Sequence, residues 1–136
     1  MPTFVAIAEN HDVTRWGIRS VVEGCEDPAL RIVSSAETGL QTVSMAEQYE
    51  PDVLVLSLRL PHLNGLDVLY YLQQRSLSVR SLVLTGCTEA HRARRAFERG
   101  ADAYVLKRAS TDELCTALSA VRRGDQYLSD AVPNSC

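Results

Sequence analysis

The sequence predicts an α/β fold in which a parallel sheet is covered by helices on both faces. Short apolar runs rich in Val, Ile and Leu recur five times, and longer segments with helical apolar spacing separate them. Runs that are continuous yet too short for helices suit strands buried on both faces, the habit of parallel sheets. Polar residues collect just after these runs, where open sheets of this kind gather their ligands and chemistry.

The elements follow in order. The first run is Phe4–Ala8, and Glu9, Asn10 and His11 end it. Ile18, Val21, Val22 and Cys25 then fall at i, i+3, i+4 and i+7, one apolar helix face, and Gly24 stands where that helix should stop. The second run is Leu30–Ser34, and a further helical stretch ends before Pro51. The third run, Val53–Leu56, ends at Ser57. The fourth, Ser81–Leu84, ends at Thr85 and Gly86. Ala93, Ala96 and Phe97 begin another helical stripe that Gly100 stops. The fifth run, Ala103–Leu106, ends at Lys107. Leu114, Ala117, Leu118 and Val121 repeat the helical stripe before Gly124, with Ser110 and Glu113 at capping-box spacing ahead of them. Strand and helix alternate five times, and right-handed crossovers put helices on both faces. Residues 1–124 are expected to form one domain. Residues 125–136, polar and containing Pro133, are expected to be an extended or frayed tail, or the start of a linker.

Composition narrows the function. A chain of 136 residues fits one domain, and 46% hydrophobic residues suffice for its core. The net charge of −3 argues against binding nucleic acid through overall charge. No stretch approaches the ~20 apolar residues that span a bilayer. The N-terminus lacks a basic leader, so no signal peptide is expected. Cys25, Cys87, Cys115 and Cys136 form no CxxC pair and no Cys/His metal spacing. They are expected to be buried or incidental thiols in a reducing cytoplasm, with terminal Cys136 open to an adventitious disulfide between chains.

Taken together, these positions resemble the receiver domain of bacterial response regulators. Glu9-Asn10-His11 occupies the slot where the family carries two acidic residues, and Ser57 falls on its phosphoacceptor aspartate. The stretch Leu58-Arg59-Leu60-Pro61-His62-Leu63-Asn64-Gly65 is similar to the family loop that follows. Thr85 matches the Thr/Ser that reports phosphorylation, Tyr104 the aromatic switch residue, and Lys107 the family lysine. Gly100 to Lys107 and Gly124 to Ser129 resemble the LuxR-type, NarL-like subgroup. The resemblance implies a flavodoxin-like (βα)5 fold of three layers. It implies a five-stranded parallel sheet of order 2-1-3-4-5, cytoplasmic location and a two-component signalling role. In LuxR-type proteins a linker and a DNA-binding helix-turn-helix domain follow, and this chain stops where that linker would begin.

The departures matter more than the matches. The family reaction uses an aspartate carboxylate as nucleophile and a Mg²⁺ ion held largely by three carboxylates. At those positions stand Glu9, Asn10 and Ser57, so one carboxylate remains. A serine needs a base to become a nucleophile. Lys107 is expected to be protonated, which leaves His11 and Asp12 as the local candidates. One carboxylate and one lysine cancel, whereas crowded carboxylates need a cation. Glu9 is therefore expected to pair with Lys107, at a degenerate site with no metal, no cofactor and no enzymatic activity.

Thr85, Tyr104 and Lys107 read either as a surviving switch or as residues kept for packing and hydrogen bonding. Arg92, Arg95 and Arg99 share a helix face that is either solvated or a partner surface. Trp16 either covers a helix boundary or contributes to an interface. Arg59 is either an anion ligand or a surface loop residue, and His62 and His91 are expected to be exposed. The leading expectation is an atypical receiver in transcriptional signalling that works without aspartyl phosphorylation, through dimerisation or protein contacts. DNA would be reached only through an output domain, and no membrane is involved. The alternative is a receiver that senses a small metabolite in the degenerate pocket.

Overall fold

The computed structural model describes residues 2–26, 30–130 and 132. Strands and helices alternate as β1 (Thr3–Ala8), α1 (Asp12–Gly24), β2 (Leu30–Ala36), α2 (Gly39–Tyr49), β3 (Val53–Leu56), α3 (Gly65–Gln74), β4 (Arg80–Thr85), α4 (Ala90–Glu98), β5 (Ala103–Leu106), α5 (Thr111–Arg123) and β6 (Tyr127–Leu128). The sheet is parallel throughout, in the order β2-β1-β3-β4-β5-β6. This is the flavodoxin-like arrangement, with the core order as expected.

Strand alternation divides the core into two layers. Val5, Ile7, Val55, Leu82 and Val105 point toward α1 and α5, where they meet Ile18, Val22, Leu118 and Val121. Their chain neighbours Ala6, Leu54, Leu56, Val83 and Tyr104 point the other way, against Val43, Val68, Leu69 and Ala96 of α2, α3 and α4. All four residues of β3 and of β5 are buried, which explains their uninterrupted apolar sequence.

The chain leaves β1 outward to β2 and then returns to β3 on the other side of β1. That reversal opens a crevice at the carboxyl ends of β1 and β3. Ala8 pairs with Leu56, so Glu9 and Ser57 emerge side by side at its floor. The β3–α3 loop closes over them because Gly65 has no side chain: a Cβ there would lie 2.6 Å from the Ser57 carbonyl oxygen and 2.7 Å from Leu58 Cα.

Three expectations are corrected. The sheet has six strands rather than five, because the segment read as a frayed tail begins with β6. Tyr127 N–H donates to the Asp102 carbonyl and Ser129 N–H to the Tyr104 carbonyl, so the outer edge of β5 is paired. Glu113 does not complete the capping box. Ser110 caps α5 by accepting from the Glu113 N–H at 3.1 Å. The Glu113 carboxylate instead accepts from the Tyr127 hydroxyl at 2.9 Å and the Ser129 hydroxyl at 2.8 Å. That clasp makes a two-residue strand tenable.

Second, Cys25 and Cys115 are joined as a disulfide, not present as separate thiols. Helices α1 and α5 lie side by side on one face of the sheet. Their packing brings the two Cα atoms within 5.6 Å across a separation of 90 residues. Cys87 is a free thiol. Cys136 and Pro133 lie outside the described residues. Third, Trp16 covers no helix boundary. It is 72% exposed, one turn from Val13, which is 82% exposed. Ile18 and Val22 take the inward stripe of α1 and leave Trp16 on its outer face.

Candidate functional site

Glu9 is the centre of the crevice. Its side chain is fully buried, and three donors converge on its carboxylate. Lys107 Nζ donates to Oε1 at 2.8 Å, and the Ser57 hydroxyl donates to the same oxygen. The His11 backbone N–H donates to Oε2 at 2.9 Å, and the His11 ring Nδ1 lies 3.2 Å from it. Burial alone would raise the Glu9 pKa. Hydrogen bonds from Lys107, Ser57 and His11, with the charge of Lys107, outweigh it and bring the carboxyl from the ordinary 4.5 down to about 2. Glu9 is thus held as the anion at neutral pH, and is a weak base. Ser57 lacks an activating partner, because a strongly acidic carboxyl does not draw off a hydroxyl proton.

The sequence candidates separate into two groups. Glu9, Ser57 and Lys107 touch. Thr85 and Tyr104 form a second group around the β4–α4 loop: Thr85 Oγ1 accepts from the Cys87 N–H at 3.2 Å, and the Tyr104 hydroxyl donates to the Cys87 carbonyl at 2.8 Å. Tyr104 is fully buried, and its phenol is pushed well above its ordinary value by burial and by Cys87. The two groups meet where the Lys107 N–H donates to the Thr85 carbonyl at 2.8 Å. Asn10 is exposed at the rim.

Of the two local base candidates, His11 lies against Glu9 and Asp12 is engaged elsewhere. Asp12 takes an ion pair from Arg15 at 2.5 Å, so it is not the base of Ser57. Arg15, which the sequence did not single out, also donates to the Glu9 backbone carbonyl at 2.9 Å and fixes the end of β1. A basic residue one helical turn after an N-cap was the available signal. On α4, Arg92 and Arg95 are exposed, while Arg99 turns to α3, 3.2 Å from Asp67 and over the Tyr70 ring. His62 is exposed, with a left-handed φ of 70°. His91 is exposed and lies 3.5 Å from Glu89.

The residues at the degenerate metal position do not fit Mg²⁺. A hard cation needs several free oxygen ligands, with anionic ones to displace its water. Oε1 of Glu9 is occupied by an ammonium and a hydroxyl, Oε2 by the His11 N–H, and Asn10 and Ser57 bring no charge. Among the described residues, no three His, Cys, Asp or Glu side chains are grouped as metal ligands. Beside the crevice a cleft of about 610 Å³ is lined by Arg59, Thr85, Cys87, Thr88, Glu89 and Lys107, among others.

The sequence pattern of the response regulator receiver domain matches residues 5–119. The chain belongs to that family. This receiver is similar to the nitrate/nitrite response regulator protein NarL of Escherichia coli K12, at 31% identity over 131 residues, 96% of this chain and 60% of NarL. A homologous regulator of Haemophilus influenzae is 32% identical over 130 residues, 96% of this chain and 62% of that protein. The receiver therefore spans about three fifths of these relatives. Among solved structures, a LuxR-family two-component response regulator from Aurantimonas sp. SI85-9A1 superposes with a TM-score of 0.90 at 26% identity, covering 97% of this chain and 93% of that one. A LuxR-family DNA-binding response regulator from Staphylococcus aureus gives a TM-score of 0.82 at 27% identity, covering 88% and 98%. No helix among the described residues is long and apolar enough to cross a membrane.

Proposed function

We propose that this receiver signals without aspartyl phosphorylation, through contact with another protein or a second copy of itself. The observation that carries the reading is the closed Glu9–Lys107–Ser57 cluster. In the family scheme a phosphoryl group and a cation would enter where, here, an ammonium and a carboxylate already neutralise each other. A neutral, hydrogen-bonded cluster needs no counter-ion, and its serine hydroxyl is occupied as a donor. On this reading the domain is an atypical receiver with no enzymatic activity, works in the bacterial cytoplasm, and controls transcription through a DNA-binding output region beyond this chain.

Contact surfaces suited to that role are exposed on α1 and α4. Val13 and Trp16 form an exposed apolar pair on α1, and Arg92 and Arg95 an exposed basic pair on α4. Exposed aromatic anchors of this kind are characteristic of interfaces. Light scattering across a concentration series tests the reading. A mass that rises toward that of a dimer, unchanged by acetyl phosphate and reduced in Trp16→Ala, supports it. A monomer that associates only after phosphodonor treatment contradicts it.

A second reading has its own observation. Cavities open beside the crevice at the carboxyl ends of the strands, and Lys107 lines two of them. A small molecule bound there would reach the residue that neutralises Glu9, so the domain would respond to a metabolite instead of a phosphoryl group.

A further inference from the structure

The face of the sheet that carries α1 and α5 holds a cavity separate from the crevice. It measures about 300 Å³ and lies where the two helices diverge. Leu84, at the carboxyl end of β4, forms its floor beside the end of β5, and Ile18 and Leu114 form its walls. These three side chains are 5–6% exposed, so the lining is apolar. Gly17 creates the opening on α1: a Cβ built there meets nothing within 4 Å. Lys107 stands at the rim with the hydroxyl-bearing residues Thr14, Ser110 and Thr111.

We propose that this seam binds a small amphiphilic anion of the medium-chain carboxylate class. Its volume is at the lower end of the ~300–1,000 Å³ usual for ligand pockets, and its pattern is the usual one, apolar walls with a few polar groups at one end. The apolar body of such a ligand fits against Ile18, Leu84 and Leu114. The carboxylate meets Lys107, whose ammonium has three donors and gives one to Glu9. Lys107 is 34% exposed on its side chain, so the remaining donors are reachable. Glu113, in the same turn of α5, is engaged by Tyr127 and Ser129. The Cys25–Cys115 disulfide joins the helices along the same seam, one residue past Leu114 on α5 and one turn past Val21 on α1. It limits how far the walls can part. The proposal deepens the ligand reading above: an occupant that draws on Lys107 weakens its hold on Glu9 and so changes the crevice.

The test is a titration of the oxidised chain with octanoate, followed by amide ¹H–¹⁵N shifts. The expected result is saturable change at Gly17, Ala109 and Leu114, with a dissociation constant of about 1 mM or tighter. Octanol should bind about tenfold more weakly, and Lys107→Gln should erase that difference. Gly17→Leu fills the opening and should abolish the shifts while keeping the wild-type melting temperature. Gly17→Met serves if the first variant folds poorly. Shifts confined to Arg59 and Thr88 would overturn the seam site while leaving the ligand reading standing on the larger cleft. No saturable change at any residue, or binding indifferent to both Gly17 variants, would overturn the proposal.

Discussion

Lys107 and Glu9 stand at the carboxyl ends of β5 and β1, 98 residues apart, and meet at 2.8 Å in the floor of the crevice. One member is fully buried and the other partly solvated, so the pair is asymmetric. Removing the lysine would strand a buried charge. Removing the acid would leave an ammonium that water can partly reach. Breaking a fully buried pair costs ~3–5 kcal/mol. Lys107→Met is therefore expected to destabilise the domain by about 3 kcal/mol and Glu9→Gln by less, as read from urea unfolding at neutral pH. Equal losses from the two variants would contradict the asymmetry.

The same pair sets an acid limit. Folding lowers the Glu9 pKa from 4.5 to about 2. A lowered pKa stabilises the fold above the unfolded value, and that contribution disappears as pH falls from about 4.5 toward 2. The shift corresponds to a contribution on the order of 3 kcal/mol. Unfolding measured across this window should show the gap between wild type and Glu9→Gln shrinking as pH falls. A gap independent of pH would show that the carboxylate charge is not what the crevice uses.

Restoring an acidic site should take two substitutions. Ser57→Asp alone sets a second carboxylate against the buried Glu9, and like charges at that distance push a carboxyl pKa up. Asn10→Asp together with Ser57→Asp would provide three carboxylates against one lysine, and a divalent ion then becomes favourable. Calorimetric titration with Mg²⁺ should give saturable binding in the double variant and none in the wild type. Tight binding by Ser57→Asp alone would mean that Asn10 matters less than its neutral amide suggests.

Cys25–Cys115 closes a long loop, and such cross-links typically contribute ~2–4 kcal/mol by restricting the unfolded chain. Reductant, or Cys25→Ser, should lower stability by about that amount without altering the sheet. Alkylation followed by mass measurement separates the states: Cys87 reacts in both, and Cys25 and Cys115 only after reduction. In a reducing compartment such a bond is conditional on redox state. A thermal midpoint indifferent to reductant would remove the disulfide from the account.

The Glu113 clasp is tested by loss of its acceptor. In Glu113→Ala the Tyr127 and Ser129 hydroxyls lose their partner, and β6 should exchange its amide protons faster while β5 stays protected. Tyr127 adds a spectroscopic reading, since burial and Glu113 push its phenol up to about 12. Ultraviolet titration should show that ionisation moving down in the variant. An unchanged exchange rate at Tyr127 and Leu128 would mean that the backbone ladder alone holds the strand.

What the sequence revealed and what it hid have physical causes. Strands β1, β3, β4 and β5 lie where continuous apolar runs stood, because burial on both faces requires such runs, whereas the edge strand β2 alternates half-buried and exposed residues. The Glu9–Lys107 pair was legible from charge balance, since topology brings all strand ends to one side. Strand β6 was not legible: Tyr127 and Leu128 are too few to form a pattern, and side chains on α5 hold them. Nor was the disulfide, whose pairing depends on α1 and α5 becoming neighbours. Trp16 was open between covering a helix boundary and joining an interface, and with Ile18 and Val22 filling the inward stripe it is left exposed on the outer face of α1. The Cys87 carbonyl as the partner of Tyr104 had no signal at all, since backbone acceptors leave no mark in a sequence.

The most direct test of phosphorylation independence is the intact mass of the purified chain after incubation with Mg²⁺ and acetyl phosphate. No mass gain is expected, at times and concentrations that fully modify a receiver with an aspartate acceptor run in parallel. A stoichiometric gain of one phosphoryl group, mapped to Ser57 or a residue beside it, would rule out phosphorylation independence and make this receiver a working phospho-switch.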